Sequence, residues 1–199
     1  IKTNIEENLS VGASLGKIDV NYTGSEDLSF VLGGNGSENF EIDAQGNISL
    51  KNNLDYEART TYSLLVFTFL GQKSITNTLE FNVVDIDEDP IVDLNLAVNS
   101  LAENAAMNSE IGEVQITDPE QNGVTSTITG IDQAKVAISS SGVITLQDTL
   151  DFETKEQLEF VVEVTDWQNT VQTPVTIQLD NINDLTANVD YTDNLLHEG

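Results

Sequence analysis

The 199-residue sequence lacks cysteine altogether, and it has a single histidine and only seven lysines and arginines. Without cysteine the chain can form neither a disulfide framework nor a thiolate metal site. Zinc is disfavoured as well, because zinc sites rely on sulfur and nitrogen ligands and the one histidine, His197, lies at the end of the sequence. No apolar run approaches the roughly eighteen residues that a membrane-spanning helix needs, so we expect none.

The scarcity of basic residues leaves the chain strongly acidic, since 7 Lys+Arg against 34 Asp+Glu give 7 − 34 = −27. Such an excess destabilises the compact state by self-repulsion unless something neutralises it. Two explanations stay open at this point, a solvated acidic surface and the binding of multivalent cations by clustered carboxylates. Disorder is disfavoured by the regular hydrophobic alternation described below. Nucleic acid is a poor partner because its phosphates would be repelled.

An internal repeat runs through the sequence at a constant offset of 96 residues. Glu7-Asn8 recurs as Glu103-Asn104, and 103 − 7 = 96. Leu54-Asp55-Tyr56-Glu57 recurs as Leu150-Asp151-Phe152-Glu153 at the same offset. The repeat predicts one domain at 1–89, a second at 90–186, and the start of a following repeat or a linker at 187–199. Because the sequence opens directly into a strand-like segment with no signal peptide, we expect a fragment of a longer array.

Apolar and polar residues alternate along both repeats. Examples of the apolar positions are Leu79, Phe81 and Val83 in the first repeat and Val175, Ile177 and Leu179 in the second. A period of two residues indicates half-buried β-strands, and clusters of Gly, Asn, Asp and Ser separate them. The sequence therefore predicts an all-β fold, two tandem immunoglobulin-like Greek-key β-sandwiches of about seven strands each.

Acidic residues concentrate between the predicted strands. The candidate metal ligands are Glu7, Asp55, Glu57, Asp85, Asp87, Glu88 and Asp89 in the first repeat and its linker, and Asp118, Glu120 and Asp166 in the second. A β-sandwich can bring the first group to one end of repeat 1, here called its lower end. It can bring the second group to the other end of repeat 2, here called the upper end. Two carboxylates about 4 Å apart repel by about 1 kcal/mol even in water, so this junction needs a counterion. Calcium is the expected ion, because it accepts about six to eight oxygen ligands whereas magnesium prefers to keep waters.

The order and spacing of these motifs resemble those of cadherin repeats over nearly the whole chain. Glu7-Asn8 looks like the family's Glu-Asn motif, and residues 54–57 look like its Leu-Asp-Arg-Glu motif. Residues 85–90 are similar to its linker motif Asp-x-Asn-Asp-Asn-x-Pro, residues 118–120 to its Asp-x-Asp, and residues 164–166 to its Ala-x-Asp. The resemblance implies three calcium ions between successive repeats, bound by the acids named above.

The sequence departs from the family pattern in ways that predict unequal sites. Glu88 and Glu120 stand where the family has Asp, so fewer than three ions could bind. At the upper end of repeat 1 the positions of the calcium ligands hold Tyr22, Gly24 and Leu70, and we expect no cadherin-type calcium site there. At the lower end of repeat 2, half of a site remains: Glu103, Asp151, Glu153, Asn183 and Asp184.

These features predict a non-enzymatic, calcium-rigidified extracellular extender or adhesion module of a large cell-surface protein. The acidity, the lack of cysteine and the divergent repeats favour a bacterial cadherin-like surface adhesin. The expected partners are neighbouring repeats of the same chain, with another cell-surface protein or a glycan as further candidates. The alternative is a carbohydrate-binding module that uses exposed aromatic residues, although we expect Trp167 to pack over its own loop.

Overall fold

The computed structural model describes residues 1–121 and 123–182, and it forms two compact units. Unit 1 spans Ile1–Glu88, and unit 2 begins at Asp89. The segment 187–199, expected to be the start of a following repeat or a linker, lies outside the described residues, as do the candidate ligands Asn183 and Asp184. The helical segments in the described part are the 3-10 turns Ser37–Asn39 and Gln133–Lys135, and no helix there is long and apolar enough to cross a membrane.

Unit 1 is a sandwich of seven strands, the number predicted. In chain order they are β1 (Asn4–Glu6), β2 (Ser14–Lys17), β3 (Leu28–Gly33), β4 (Phe40–Ile42), β5 (Asn47–Leu50), β6 (Thr61–Leu70) and β7 (Lys73–Val84). One sheet has the order β1-β7-β6-β3 and the other β2-β5-β4. All neighbours are antiparallel except β1 and β7, which run parallel. The predicted all-β sandwich is confirmed.

Unit 2 repeats this arrangement with one strand more. Its strands are β8 (Ile91–Leu96), β9 (Ser100–Ala102), β10 (Glu110–Thr117), β11 (Thr125–Thr129), β12 (Val136–Ile138), β13 (Val143–Leu146), β14 (Gln157–Thr165) and β15 (Thr170–Asp180). The sheets have the orders β11-β14-β15-β9 and β12-β13-β10-β8. The additional strand, β8, pairs antiparallel with β10. In unit 1 the corresponding edge of β2 has no paired strand among the described residues, and there Lys2 N–H donates to Leu15 O at 2.7 Å.

The repeat is visible in the irregularities of the backbone as well as in the strands. β2 has a break in register between Ser14 and Gly16, and β10 has the same break between Glu110 and Gly112. A Cβ atom on Gly16 would lie 2.7 Å from Ile1 Cα, and one on Gly112 would lie 2.6 Å from Asn95 O. Both contacts are too short for a side chain, so glycine recurs at this offset because another chain segment crosses there.

Each unit has its own core, and the two cores use different side chains at equivalent positions. In unit 1, Phe40 stacks on Phe81 with ring centroids 5.0 Å apart, and Tyr62 meets Phe40 edge-on at 5.2 Å. The equivalent positions of unit 2 hold the buried aliphatic residues Val136, Leu158 and Ile177. Alternate residues of β14 are buried throughout its length, as the period-two pattern predicted.

Candidate metal centre

Three predicted ligands of unit 1 come together at one end of the sandwich. Glu7 directly follows β1, and Asp55 and Glu57 lie in the loop between β5 and β6. One carboxylate oxygen from each of the three lies within 4.8 Å of those of the other two. Glu7 is only 4% exposed, whereas Asp55 and Glu57 are exposed. At such separations each pair repels by about 1 kcal/mol in water and by more in a less polar environment, so the cluster favours a cation.

Glu7 is held in place by the backbone of two other segments. Its Oε2 accepts the N–H of Tyr56 at 2.6 Å, and its Oε1 accepts the N–H of Ile86 at 2.8 Å. Tyr56 lies between the other two acids of the cluster, and Ile86 lies in the segment that leaves β7. Hydrogen bonds to a charged acceptor are stronger than neutral ones. Glu7 therefore ties the loop that carries Asp55 and Glu57, and also the linker, to the end of β1.

Unit 2 contains the same construction 96 residues later. Glu103, Asp151 and Glu153 form a cluster in which one carboxylate oxygen of each lies within 4.8 Å of those of the other two, and Glu103 is 7% exposed. Glu103 Oε2 accepts the N–H of Phe152 at 2.9 Å, and its Oε1 accepts the N–H of Ile182 at 2.5 Å. Both donors are the equivalents of those that bind Glu7, since 152 − 56 = 96 and 182 − 86 = 96. Three residues of the half-site predicted for this end are thus close together, and the other two, Asn183 and Asp184, lie outside the described residues.

The loop of the second cluster is more strongly hydrogen-bonded than that of the first. Thr154 donates its hydroxyl to Asp151 Oδ2 at 2.8 Å and its N–H to Asp151 Oδ1 at 3.0 Å. These bonds, the hydroxyl first, hold the pKa of Asp151 below the ordinary value of an aspartate. The equivalent residue of unit 1 is Ala58, which donates only its N–H to Asp55. Asp151 is therefore kept ionised, the form a metal ligand needs.

The linker acids Asp85, Asp87, Glu88 and Asp89 lie in a segment without regular secondary structure between β7 and β8. Asp85 and Asp89 are exposed, and Asp87 and Glu88 are half-buried. The boundary between the two units falls between Glu88 and Asp89.

Asp118, Glu120 and Asp166 share one end of unit 2, because Asp118 and Glu120 follow β10 and Asp166 follows β14. Asp166 is 1% exposed. Its Oδ1 accepts the N–H groups of Gln168 at 3.0 Å and Asn169 at 2.7 Å, while its Oδ2 is buried with no hydrogen-bond partner among the described residues. A buried carboxylate oxygen without a donor is costly unless a cation completes its shell.

At the upper end of unit 1, the positions equivalent to Asp118, Glu120 and Asp166 carry no acid. The ring of Tyr22 occupies the space beside Gly24, because its hydroxyl oxygen would lie 2.0 Å from a Cβ built there. A cavity of about 220 Å³ at this end is lined by apolar and neutral residues and one lysine, with no carboxylate: Val20, Asn21, Tyr22, Leu28, Thr68, Leu70, Lys73, Ser74 and Ile75. The substitutions noted in the sequence thus replace carboxylates by packed and half-buried apolar side chains.

Trp167, next to Asp166, departs from the expected packing. Its side chain is 85% exposed, although the indole N–H donates to Gly123 O at 2.8 Å. Its φ of 94° lies in the left-handed region, which is uncommon for a bulky residue. The equivalent position of unit 1 is Gly71, with a φ of 56°. The expectation that Trp167 packs over its loop was therefore wrong, because the turn directs the ring outward.

Among known proteins, the chain is similar in sequence to cadherins and protocadherins. Cadherin-8 of Mus musculus is 28% identical over 208 residues, which cover 91% of this chain and 26% of that protein. Protocadherin-23 of Homo sapiens is 28% identical over 168 residues, which cover 77% of this chain and 5% of that protein. The chain thus spans about a quarter or less of these curated relatives. No protein-family model matches it.

Solved structures of cadherin domains share the fold. The structure of protocadherin gamma B2 extracellular cadherin domains 3-6 matches with a TM-score of 0.61 and 19% identity, over 91% of this chain and 45% of that one. Human protocadherin-24 EC1-2 matches with a TM-score of 0.59 and 17% identity, over 92% of this chain and 95% of that one. Sequence relatives and solved structures together support the conclusion that this chain is built of cadherin-like domains.

Proposed function

We propose that the chain is a calcium-binding, non-enzymatic extender or adhesion module of a cell-surface protein and lies outside the cell. One observation carries the proposal. A cluster of three carboxylates, braced by the same two backbone N–H groups, occurs at the lower end of both units at an offset of 96 residues. Duplicated acids in duplicated settings favour metal ligation over acid–base catalysis, for which one site would suffice.

The ligand chemistry favours calcium over other divalent ions. Calcium takes about six to eight oxygens at about 2.3–2.6 Å and tolerates irregular geometry, whereas magnesium requires a near-ideal octahedron. Glu7, Asp55 and Glu57 supply oxygens of mixed reach and exposure. With no cysteine in the chain and one histidine near its end, the ligands of zinc are missing.

We propose that the linker acids and the upper end of unit 2 complete the binding where the repeats follow one another in sequence. The ligands from the linker are Asp85, Asp87, Glu88 and Asp89, and those from unit 2 are Asp118, Glu120 and Asp166. The buried Oδ2 of Asp166 supports this assignment, since a metal ion would satisfy it. Calcium would neutralise part of a net charge of −27 and thereby stiffen the linker.

The finer expectations rest on composition. A bacterial surface adhesin is proposed because the chain is acidic and lacks cysteine. A carbohydrate-binding role is less favoured than calcium ligation, because the relatives reported above are cadherins and protocadherins and because Trp167 is the one exposed aromatic ring among the described residues. Neighbouring repeats of the same chain are the proposed partners.

Isothermal titration calorimetry of the chain with calcium tests the proposal. We expect the wild type to bind at least one ion with a dissociation constant in the range of about 10⁻⁵ to 10⁻³ M, and Asp55→Asn and Asp166→Asn to weaken binding about tenfold or more. Glu26→Gln, at an exposed acid in the loop between β2 and β3, is the control with the same change of charge. Absence of calcium binding, or equal weakening by Glu26→Gln, would contradict the proposal.

A further inference from the structure

The upper part of β7 is a free sheet edge. β1 pairs with β7 only from Asn82 to Val84. Among the residues that the structure describes, no strand pairs with the remainder of that edge, from Lys73 to Phe81. An unpaired edge presents a row of backbone N–H and C=O groups that can take up another strand. β7 thus offers a binding surface built from main chain.

Two hydrogen bonds at the lower end of β7 show which backbone groups face the open edge. Asn82 N–H donates to Thr3 O at 2.7 Å, toward β1, whereas Val83 N–H donates to Thr60 O at 2.8 Å, toward β6. The backbone N–H and C=O groups of successive residues point alternately toward the two neighbouring strands. Counting back by twos from Asn82, the residues that face the open edge are Ser74, Thr76, Thr78 and Glu80.

The equivalent edge of unit 2 is interrupted by a proline. Asp180 O accepts the N–H of Glu103 on the β9 side of β15, so alternate residues counted back from Asp180 face its open edge. Pro174 is one of them. Proline has no N–H, and its presence at an outward position is a common way to protect an edge from further pairing. Since 174 − 96 = 78, the residue at this position in unit 1 is Thr78, which keeps its N–H.

The face beside the free edge also leaves apolar surface uncovered. Ile75 is 57% exposed although it lies on the side of β7 that carries the core residue Phe81. It lines the 220 Å³ cavity together with Thr68, whose hydroxyl is buried with no hydrogen-bond partner among the described residues. A strand added to β7 would place its own side chains next to Ile75 and this cavity.

We propose that the free edge of β7 pairs antiparallel with the same edge of a second copy of this chain. The open stretch is self-complementary about Asn77, so that every pair is formed twice. The expected pairs are Lys73 with Phe81, Ser74 with Glu80, Ile75 with Leu79, Thr76 with Thr78, and Asn77 with its own copy. Apolar and threonine pairs across antiparallel strands are favourable, and no like charges oppose one another.

Charge and length both favour a second copy as the occupant. Unit 1 carries 5 Lys+Arg and 14 Asp+Glu, so its net charge is 5 − 14 = −9. The stretch Lys73–Phe81 contains one basic residue, Lys73, and one acidic residue, Glu80, and is therefore locally neutral. Pairing about Asn77 uses the whole open stretch, which is bounded by the β6–β7 turn at one end and by β1 at the other. Two strands of this length make a small interface, so we expect a weak dimer that higher salt strengthens by screening the net charge.

Sedimentation equilibrium of the full chain at concentrations from about 5 to about 500 µM tests the dimer, with dissociation constants of roughly micromolar to millimolar expected for so small an interface. We expect the wild type and Thr78→Ser to dimerise, and Thr78→Pro to remain monomeric because it removes one outward N–H. Pro174 shows that the fold accepts proline at this position, and an unchanged circular dichroism spectrum would verify folding.

A cysteine cross-link locates the contact. In the proposed register Asn77 faces its own copy in a non-hydrogen-bonded pair, with Cα atoms within disulfide range. Because the chain has no cysteine, Asn77→Cys introduces a single thiol, and Thr173→Cys is the matched control at the equivalent position of unit 2. Under mild oxidation we expect Asn77→Cys to form covalent dimers at least about ten times faster than the control, owing to the high effective concentration of paired thiols.

A wild type that stays monomeric over the whole range overturns the proposal, and so does an edge that accepts only a strand from a different protein. Dimerisation that persists in Thr78→Pro, or equal cross-linking of the two cysteine variants, would also overturn it.

Discussion

The two units are alike at their lower ends and unlike at their upper ends. Below, Glu7 and Glu103 each accept two backbone N–H groups and gather two further carboxylates. Above, unit 2 buries Asp166 where unit 1 has Leu70. The lower glutamate is part of the fold as well as a candidate ligand, so its loss leaves donors unsatisfied. Asp166 also accepts two backbone N–H groups, but both come from its own turn, those of Gln168 and Asn169. Leu70 shows that unit 1 accepts an apolar residue at the equivalent position.

The units also differ at the loop that follows β3 in unit 1 and β11 in unit 2. In unit 2, Lys155 Nζ lies 2.6 Å from Asp132 Oδ2 and 3.0 Å from Glu159 Oε2. In unit 1 the position of Lys155 is held by Arg59, which donates to the carbonyl oxygens of Asn35 and Thr61 and lies 4.2 Å from the ring centroid of Tyr62. An ion pair thus stabilises this loop in unit 2, whereas hydrogen bonds to carbonyl oxygens and a cation–π contact stabilise it in unit 1.

The largest effect on stability is expected from a substitution in the aromatic core of unit 1. Phe81→Ala removes a fully buried ring stacked on Phe40 and should destabilise unit 1 by about 3–5 kcal/mol. Urea unfolding should show this by circular dichroism but not by tryptophan fluorescence, because the single tryptophan lies in unit 2. Ile177→Ala, at the equivalent position, should move the fluorescence transition instead. A fluorescence shift in Phe81→Ala would show that the units do not unfold independently.

The second prediction concerns the shared lower ends. In EDTA, Glu7→Ala should destabilise unit 1 by about 2–3 kcal/mol, since the N–H groups of Tyr56 and Ile86 lose a charged acceptor. Glu7→Gln keeps one oxygen and should have a smaller effect. Glu103→Ala should destabilise unit 2 by a similar amount, measured by urea unfolding. If Glu7→Ala were neutral without calcium, the carboxylate would have no structural role in the apo fold.

The third prediction uses pH to distinguish the ion pair between Lys155 and Asp132 in unit 2 from the contacts of Arg59 in unit 1. Burial of Asp132 acts to raise its pKa, but hydrogen bonds from Lys155 and the N–H of Glu159 outweigh it, so that pKa lies below the ordinary value. A lowered pKa in the folded state gives stability that is present above the unfolded value of about 3.9 and is lost as pH falls through the folded pKa.

We therefore expect acid unfolding followed by Trp167 fluorescence to start at higher pH in Asp132→Asn than in the wild type, with a loss of about 1–2 kcal/mol at neutral pH. Lys155 gains a raised pKa, chiefly through its hydrogen bond to Asp132, so its contribution is present below its unfolded pKa and is lost as pH rises through the folded one. Arg59 lies in unit 1, so Arg59→Lys should leave this pH profile of unit 2 unchanged.

The smallest effect is expected at the turn that differs between the units. Trp167→Gly places in unit 2 the residue that unit 1 has at Gly71, and it relieves a left-handed φ. We expect the substitution to stabilise unit 2 by at most about 1 kcal/mol. The gain is limited because the hydrogen bond from the indole to Gly123 O is lost at the same time. Thermal unfolding by circular dichroism measures the change, and a loss of more than about 1 kcal/mol would show that the ring contributes to packing.

Much of the fold follows from the sequence because the relevant signals are local. The period-two alternation in β14 predicts which residues are buried, and the constant offset of 96 residues predicts a second sandwich. The grouping of Glu7, Asp55 and Glu57 follows as well, since each lies where the chain leaves or enters a strand at the same end.

Other features depend on contacts that the sequence does not encode locally. The donors to Glu7 are backbone N–H groups, which every residue but proline carries, so no side chain signals them. The exposure of Trp167 was missed, although Gly71 at the equivalent position indicates a left-handed turn. Pro174 within an alternating strand was the available sign that β15, and by repetition β7, forms an edge.

Calcium-dependent thermal unfolding tests the central claim most directly. For extracellular sites with dissociation constants of about 10⁻⁴ to 10⁻³ M, about 2 mM calcium should stabilise the chain by about 0.6–1.8 kcal/mol per ion. In units of this size that corresponds to a rise in Tm of about 2 °C or more relative to EDTA, with a much smaller rise in equal magnesium. A Tm that is the same in calcium and in EDTA would contradict the account.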